Sequence, residues 1–277
     1  MTNYIKKKYS IYTKKSNEFV NIMDSYYLRG KISEKKVDRK LIGKSLILVP
    51  HADDEWVGCS QFIINNNSDV VLYNMDMQGG DSPDIHITRK KELEKMAYKY
   101  KLKLQDNIGK VEEKVVNLKK KIEEFKPDLI FLPFFIDWHE DHIAVMNILR
   151  EALRNIKKDI DVKIVMYQVS VPIPEQYITT CIGMDRRTQI NKWKTFRDIY
   201  PTQAFFPVKR FCCNEYINGG IINSYAAEVY SCMDINEWLS NFSMIPDRKE
   251  RIDIVNSFRN VKKIRKCTGK LIDGDQL

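Results

Sequence analysis

The sequence predicts an α/β fold in which a mostly parallel, doubly wound sheet carries helices on both faces. Three observations point there. Four short runs of consecutive apolar residues have the pattern of strands covered on both sides. Segments with helical periodicity separate them, which is the alternation of a parallel sheet. The two sharpest polar clusters follow strands directly, where open α/β sheets place their ligand sites.

In chain order, Ser45-Leu-Ile-Leu-Val-Pro50 reads as the first strand and Val70-Val-Leu-Tyr73 as the second, with room for one helix between them. Residues Thr88 to Lys101 and Val111 to Phe125 are rich in Lys and Glu at i, i+3 and i+4 spacing, which predicts two helices, the second ended by Lys126-Pro127. Asp128-Leu-Ile-Phe-Leu-Pro133 is the third strand, Ile143 to Ile156 a helix, and Val162 to Val169 the fourth strand. Beyond Pro172 the order loosens. A helix is expected from about Arg186 to Ile199, then an irregular Phe/Cys/Gly-rich stretch, then a charged helix from about 247 to 263.

At 277 residues, 43% hydrophobic and 30% charged, the chain can bury one full core. No apolar run has the length of a membrane span, and MTNYIKKKYS lacks the apolar centre of a signal peptide, which predicts a cytoplasmic protein. The six cysteines form no CxxC and are read as reduced, mostly buried thiols. The net charge of +9 is uneven: residues 1–44 hold 12 Lys/Arg against 4 Asp/Glu and residues 247–277 hold 9 against 5, so the middle is slightly acidic. Residues 1–44 are therefore set apart as a basic N-terminal extension before a domain spanning 45–277. The basic ends serve solubility or an anionic surface. No basic stripe interleaved with aromatics occurs in the body, so no nucleic-acid partner is expected.

Directly after the first strand stands Pro50-His51-Ala52-Asp53-Asp54-Glu55, and after the third Asp137-Trp138-His139-Glu140-Asp141-His142. Three of the 4 histidines fall in these stretches. Imidazoles mixed with carboxylates suit a borderline divalent ion such as zinc with a position left for water, whereas magnesium prefers carboxylates and phosphates. An adjacent aspartate pair can give one carboxylate to the metal and keep the other near the water. The bland alternative is that Asp53, Asp54 and Glu55 only cap the helix that starts near Trp56. A second His/Asp cluster at another strand end favours the metal.

These residues resemble the PIG-L, or LmbE-like, zinc deacetylases, whose PHxDDE and HxDH motifs lie on a Rossmann-like fold, a three-layer αβα sandwich. Weaker matches follow in order: Gly79-Gly80-Asp81, Arg89 with Glu92, Tyr200-Pro-Thr-Gln203 and Ala227-Glu228-Val-Tyr230. The resemblance implies that His51, Asp54 and His142 hold the metal and that Asp53 is the general base. His139 would face the substrate carbonyl with Asp141 fixing its orientation, and Arg89 would contact sugar hydroxyls. Glu140 replaces the family's frequent proline, removing a backbone restraint and adding a charge near the site.

The implied activity is a zinc-dependent removal of the N-acetyl group from an N-acetylglucosamine-type sugar of a glycoconjugate, with Fe2+ or another divalent ion as the other cofactor candidates. Water on the metal attacks the amide, and acetate and an amino sugar leave. The rivals are a non-catalytic glycan- or metal-binding module on the same fold and a two-metal phosphoryl-transfer enzyme. Outside the motifs, Arg89 and Glu92 read equally as an i, i+3 surface pair, Gln203 as a loop cap, His86 as a solvated loop residue, and Trp138 as a pocket wall or sugar-stacking platform.

Overall fold

The computed structural model describes residues 2–66, 69–77, 82–156 and 160–273. The chain enters through helix α1 (Thr2–Arg29) and then alternates β1 (Ser45–Val49), α2 (Asp54–Asn66), β2 (Val70–Asn74), α3 (Pro83–Tyr100), β3 (Lys103–Asp106), α4 (Val111–Phe125), β4 (Leu129–Pro133), α5 (Glu140–Arg154) and β5 (Lys163–Tyr167). There follow β6 (Thr180–Met184), α6 (Arg186–Ile199), α7 (Val208–Gly219), β7 (Ala226–Met233), α8 (Ile235–Ser240), α9 (Arg248–Ser257) and α10 (Val261–Asp273). The strands form one sheet in the order β3-β2-β1-β4-β5-β7-β6. Strands β1 to β5 pair in parallel, and β7 runs antiparallel to both of its neighbours.

The apolar runs form strands because both faces are buried. Leu46, Leu48, Ile130, Leu132, Ile164 and Met166 pack on one side against α4, α5 and α8, through residues such as Leu118, Leu149 and Trp238. Ile47, Val49, Phe131, Val165 and Tyr167 point to the other, against Trp56 and Phe62 of α2, Met96 of α3 and Trp193 of α6. This period of two makes the sheet the middle layer of an αβα sandwich. Gly58 of α2 lies so near Tyr167 that a Cβ there would run into its ring, so a glycine lets α2 reach the sheet.

Four expectations need correction. A polar edge strand, β3, stands between the helices Pro83–Tyr100 and Val111–Phe125, where the sequence shows no strand signal; its residues are mostly exposed and give no apolar run. The Phe/Cys/Gly-rich stretch contains helix α7. Strands β6 and β7 add to the four expected ones, since buried Glu228 and Ser231 interrupt the apolar signal of β7. The charged segment 247–263 is two helices: Asn260 turns its side-chain oxygen to the amides of Lys262 and Lys263 at 3.1 and 2.8 Å, capping a new start.

The basic leading segment packs on the rest: α1 lies against α7 and α10, and Asp38 bridges Thr180 of β6. All six cysteines are free thiols, with Cys59, Cys181 and Cys213 buried. Among the described residues no helix is long and apolar enough to cross a membrane.

Strands β1 and β4 are neighbours although β2 and β3 intervene in sequence, so the connections leave the sheet on opposite sides at this pair. The two His/Asp clusters follow these two strands. They therefore meet at the switch point of the sheet.

Candidate functional site

After β1 the chain turns sharply through His51, Ala52 and Asp53 before α2 begins. Asp53 has φ 125°, a conformation that L residues rarely take and that costs on the order of 1–3 kcal/mol. The carboxylates of the first helical turn hold it there. Asp54 Oδ2 accepts the His51 amide at 3.0 Å and Glu55 Oε2 the Asp53 amide at 3.1 Å. The Tyr200 hydroxyl donates to the other Glu55 oxygen. Burial raises the Glu55 carboxyl to about 7. Capping thus occurs, but through Asp54 and Glu55 only.

After β4, Asp137 organises the second cluster. Its Oδ1 accepts the His139 amide at 3.0 Å, and its Oδ2 lies 2.8 Å from His142 Nδ1. His139 is the N-cap of α5 and accepts the Asp141 amide on Nδ1 at 3.3 Å. The expectation that the Asp141 carboxylate orients His139 is corrected here. That carboxylate crosses to the other cluster, 2.8 Å from His51 Nε2, and only the Asp141 backbone touches the His139 ring.

The clusters converge on one oxygen. Asp54 Oδ2 lies 3.3 Å from His51 Nδ1 and 3.2 Å from His142 Nε2. One nitrogen from each of His51, His139 and His142 falls within 4.8 Å of the others. The rings of His51 and His142 are each fixed from behind by a carboxylate, the arrangement that sets the tautomer of a metal-binding histidine. His142 Nε2 is buried and makes no hydrogen bond among the described residues. The set of donors fits a divalent ion: two imidazole nitrogens converge on one carboxylate oxygen, which also accepts the His51 amide.

The electrostatics agree. Burial lowers His142, but Asp137 and Asp54 carry it well above its ordinary value, and His51 is raised in the same way by Asp141 and Asp54. Burial raises Asp54, yet His142 and His51 hold it well below the usual carboxylate range. Asp53, buried beside the Asp54 charge, is pushed well up, with Arg89 opposing. Burial and the two neighbouring imidazoles lower His139 to about 4.

Arg89 of α3 reaches the turn, its Nη2 3.4 Å from Asp53 Oδ1 and 3.3 Å from the Ala52 carbonyl. It does not form a surface pair with Glu92. Glu92 is buried and accepts the Thr202 amide and hydroxyl at 2.9 and 2.5 Å, tying α3 to the turn Pro201–Gln203. Arg89, His51, Ala52, His86 and Lys90 line a cleft beside Asp53. His86 lies 3.0 Å from Asp76 rather than free in solvent. Trp138 packs on Phe258 and beside His139, as a wall. The Glu140 side chain is 86% exposed with Arg251 3.9 Å away, so its charge points out to solvent. Gly79, Gly80 and Asp81 lie outside the described residues.

A second buried cluster sits under the middle of α2, where the helix is broken at Cys59 (φ −130°, ψ 15°). The helical bond that the Gln61 amide and Val57 carbonyl would make is replaced by an ion pair. Lys192 Nζ donates to the Val57 carbonyl at 2.7 Å, Glu228 Oε2 accepts the Gln61 amide at 2.9 Å, and the two charges meet at 2.6 Å. Glu215 also pairs with Lys192, at 2.7 Å. The Ala227-Glu228-Val-Tyr230 segment thus braces the helix that carries Asp54.

Sequence reasoning gives no role to Asp137, Tyr200 or Lys192, and gives Glu55 only that of a helix cap. Asp137 adjoins the second histidine cluster, so a carboxylate search around each histidine would find it. Lys192 carries no local signal.

Residues 46–153 match the family model of PIG-L, described as GlcNAc-PI de-N-acetylase, so the resemblance to that family holds over the segment containing both clusters. No curated protein matches the chain. Solved structures share the fold at low identity. A conserved protein from Thermus thermophilus superposes with a TM-score of 0.56 at 18% identity, covering 68% of this chain and 94% of its own. N,N'-diacetylchitobiose deacetylase from Pyrococcus horikoshii, complexed with an inhibitor, gives 0.51 at 20%, covering 69% and 84%. A zinc-inhibited form of teicoplanin deacetylase gives 0.52 at 14%, covering 68% and 97%.

Proposed function

We propose that the chain is a metal-dependent N-deacetylase that hydrolyses the N-acetyl group of an N-acetylglucosamine-type sugar in a glycoconjugate. The carrying observation is the Asp54 oxygen flanked by His51 Nδ1 and His142 Nε2, inside the segment that matches a de-N-acetylase family. His51, Asp54 and His142 would hold the ion, zinc or Fe2+ by the mixture of nitrogen and oxygen donors. A divalent cation held there supplies Lewis-acid polarisation of the amide carbonyl and a more acidic water.

Asp53 takes the proton of the attacking water. Burial and the Asp54 charge raise its proton affinity, which favours proton uptake, while Arg89 opposes its protonation. His139 accepts on Nδ1, so Nε2 carries the hydrogen, and its low pKa keeps the ring neutral. That is a hydrogen-bond donor for the developing oxyanion. Asp137 and Asp141 hold the imidazoles of His142 and His51. Arg89, on the cleft wall, is the residue assigned to sugar hydroxyls.

The experiment is acetate release from a panel of N-acetylated glucosamine conjugates with added zinc, alongside Asp53→Asn. The variant should keep about one equivalent of metal and lose roughly 10²- to 10⁴-fold in rate. Retention of most of the rate removes Asp53 as base. Tight sugar binding without metal would favour a binding module, and two magnesium or manganese ions a phosphoryl-transfer enzyme.

A further inference from the structure

The outward face of α1 is apolar. Phe19, Val20, Ile22, Met23, Tyr26 and Tyr27 are 41–65% exposed and occupy the side opposite buried Asn21 and Ser25. Two anchors prevent the helix from rolling to cover them. Asn21 bonds the Arg259 carbonyl and the Val261 amide, both at 2.9 Å, at the junction of α9 and α10. Arg29 donates to the carbonyls of Tyr216, Ser224 and Tyr225. The apolar stripe is thus held toward solvent by specific bonds.

Its surroundings are cationic. The ammonium groups of Lys31 and Lys262 stand 4.5 and 5.2 Å from the ring centre of Tyr27. Lys15, Arg259, Lys263 and Lys266 are exposed. Of the acids on the helix, Glu18 is paired with Lys209 at 2.5 Å, and Asp24 is half-buried. Helix α10, which packs on α1, adds Lys262, Lys263, Lys266 and Lys270.

We infer that this face docks on an anionic lipid surface. Aromatic and aliphatic side chains flanked by lysines are the combination that rests at a bilayer interface: the rings enter the acyl boundary while the ammonium groups reach anionic headgroups. A second copy of the chain is the poorer occupant, because pairing the face with itself opposes two clusters of the same sign. The contact is peripheral, since no described helix can cross the bilayer.

The test is flotation of the full chain with vesicles of phosphatidylcholine alone and of phosphatidylcholine and phosphatidylglycerol at about 2:1. Binding to the mixed vesicles should be at least roughly 10-fold tighter and should weaken as salt is added. Phe19→Glu with Met23→Glu should weaken it about 10-fold or more without changing thermal unfolding, whereas Leu at both positions should retain it. The proposal is overturned if the mixed vesicles carry no protein at low salt or if the double Glu variant floats like the parent. It is also overturned if sedimentation equilibrium shows a dimer that this variant dissolves.

Discussion

Helix α2 carries two clusters of buried charge, one at its first turn and one at its kink, and they are balanced in opposite ways. At the kink Lys192 meets Glu215, Glu228 and the Val57 carbonyl. The remaining oxygens of the two glutamates accept from Trp193, Gln189, Gln61 and Tyr230, and Ser60 donates to the Glu228 oxygen that Lys192 meets. Every oxygen of the two glutamates in that cluster thus has a donor, although one ammonium faces two carboxylates. At the first turn, four aspartates at 53, 54, 137 and 141 surround the three histidines, Arg89 is the guanidinium beside them, and His142 Nε2 has no hydrogen bond among the described residues. A cluster whose carboxylate oxygens all have donors serves the fold, whereas one in which two imidazole nitrogens crowd a single carboxylate oxygen is one that a cation would complete.

Substitutions in the two clusters should therefore fail differently. His142→Gln is expected to reduce bound metal to a trace and the deacetylation rate by about 10³-fold or more, some 4 kcal/mol in the barrier. Metal analysis with the acetate assay checks it. Lys192→Met should instead cost about 3–5 kcal/mol of stability, because two buried carboxylates and a carbonyl lose their partner. Its folded fraction should still bind metal. Denaturant unfolding followed by metal analysis decides, and the contrast breaks if Lys192→Met loses metal before it loses stability.

The contrast also marks what can be read in advance. Strands β1, β2, β4 and β5 are legible because both faces are buried, so each shows as an unbroken apolar run. Edge strand β3 and the strand bearing Glu228 are not, since their residues answer to an exposed edge or to a buried ion pair. The two histidine clusters stand out through residue type alone. Which carboxylate serves which ring does not: Asp141 reaches His51 only because β1 and β4 are adjacent, and Asp137 reaches back to His142 through the shape of a loop. The Lys192 brace depends on a helix defect that sequence periodicity does not encode.

A smaller effect sharpens the first-turn cluster from within. Asp137→Asn should weaken metal affinity about 10- to 100-fold by removing the charge behind His142, as measured by competition with a chromogenic chelator. Glu140→Ala, at an exposed side chain in the same motif, should leave affinity unchanged. Equal losses in the two variants would mean that general negative charge, and not the Asp137 contact, holds the ion.

The smallest expected effect is in the pH dependence of the stripped protein. His51 and His142 are raised above their ordinary 6.5 by the surrounding aspartates, against the effect of burial. A histidine with a raised folded pKa gives its full stabilisation below the unfolded pKa and loses it as pH rises through the folded value. Chelator-treated protein should accordingly lose stability as pH rises above the ordinary histidine value of about 6.5. The loaded protein should show the reverse tendency, since the rings must shed protons to bind an ion, so the gap in Tm between the two forms widens with pH. Lys192 is shifted upward from 10.5 and does not titrate in this window, so Lys192→Met should lower the whole stripped curve without changing its slope. A flat curve in the parent, or a slope that disappears in Lys192→Met, would place the titrating charge at the kink instead of the first turn.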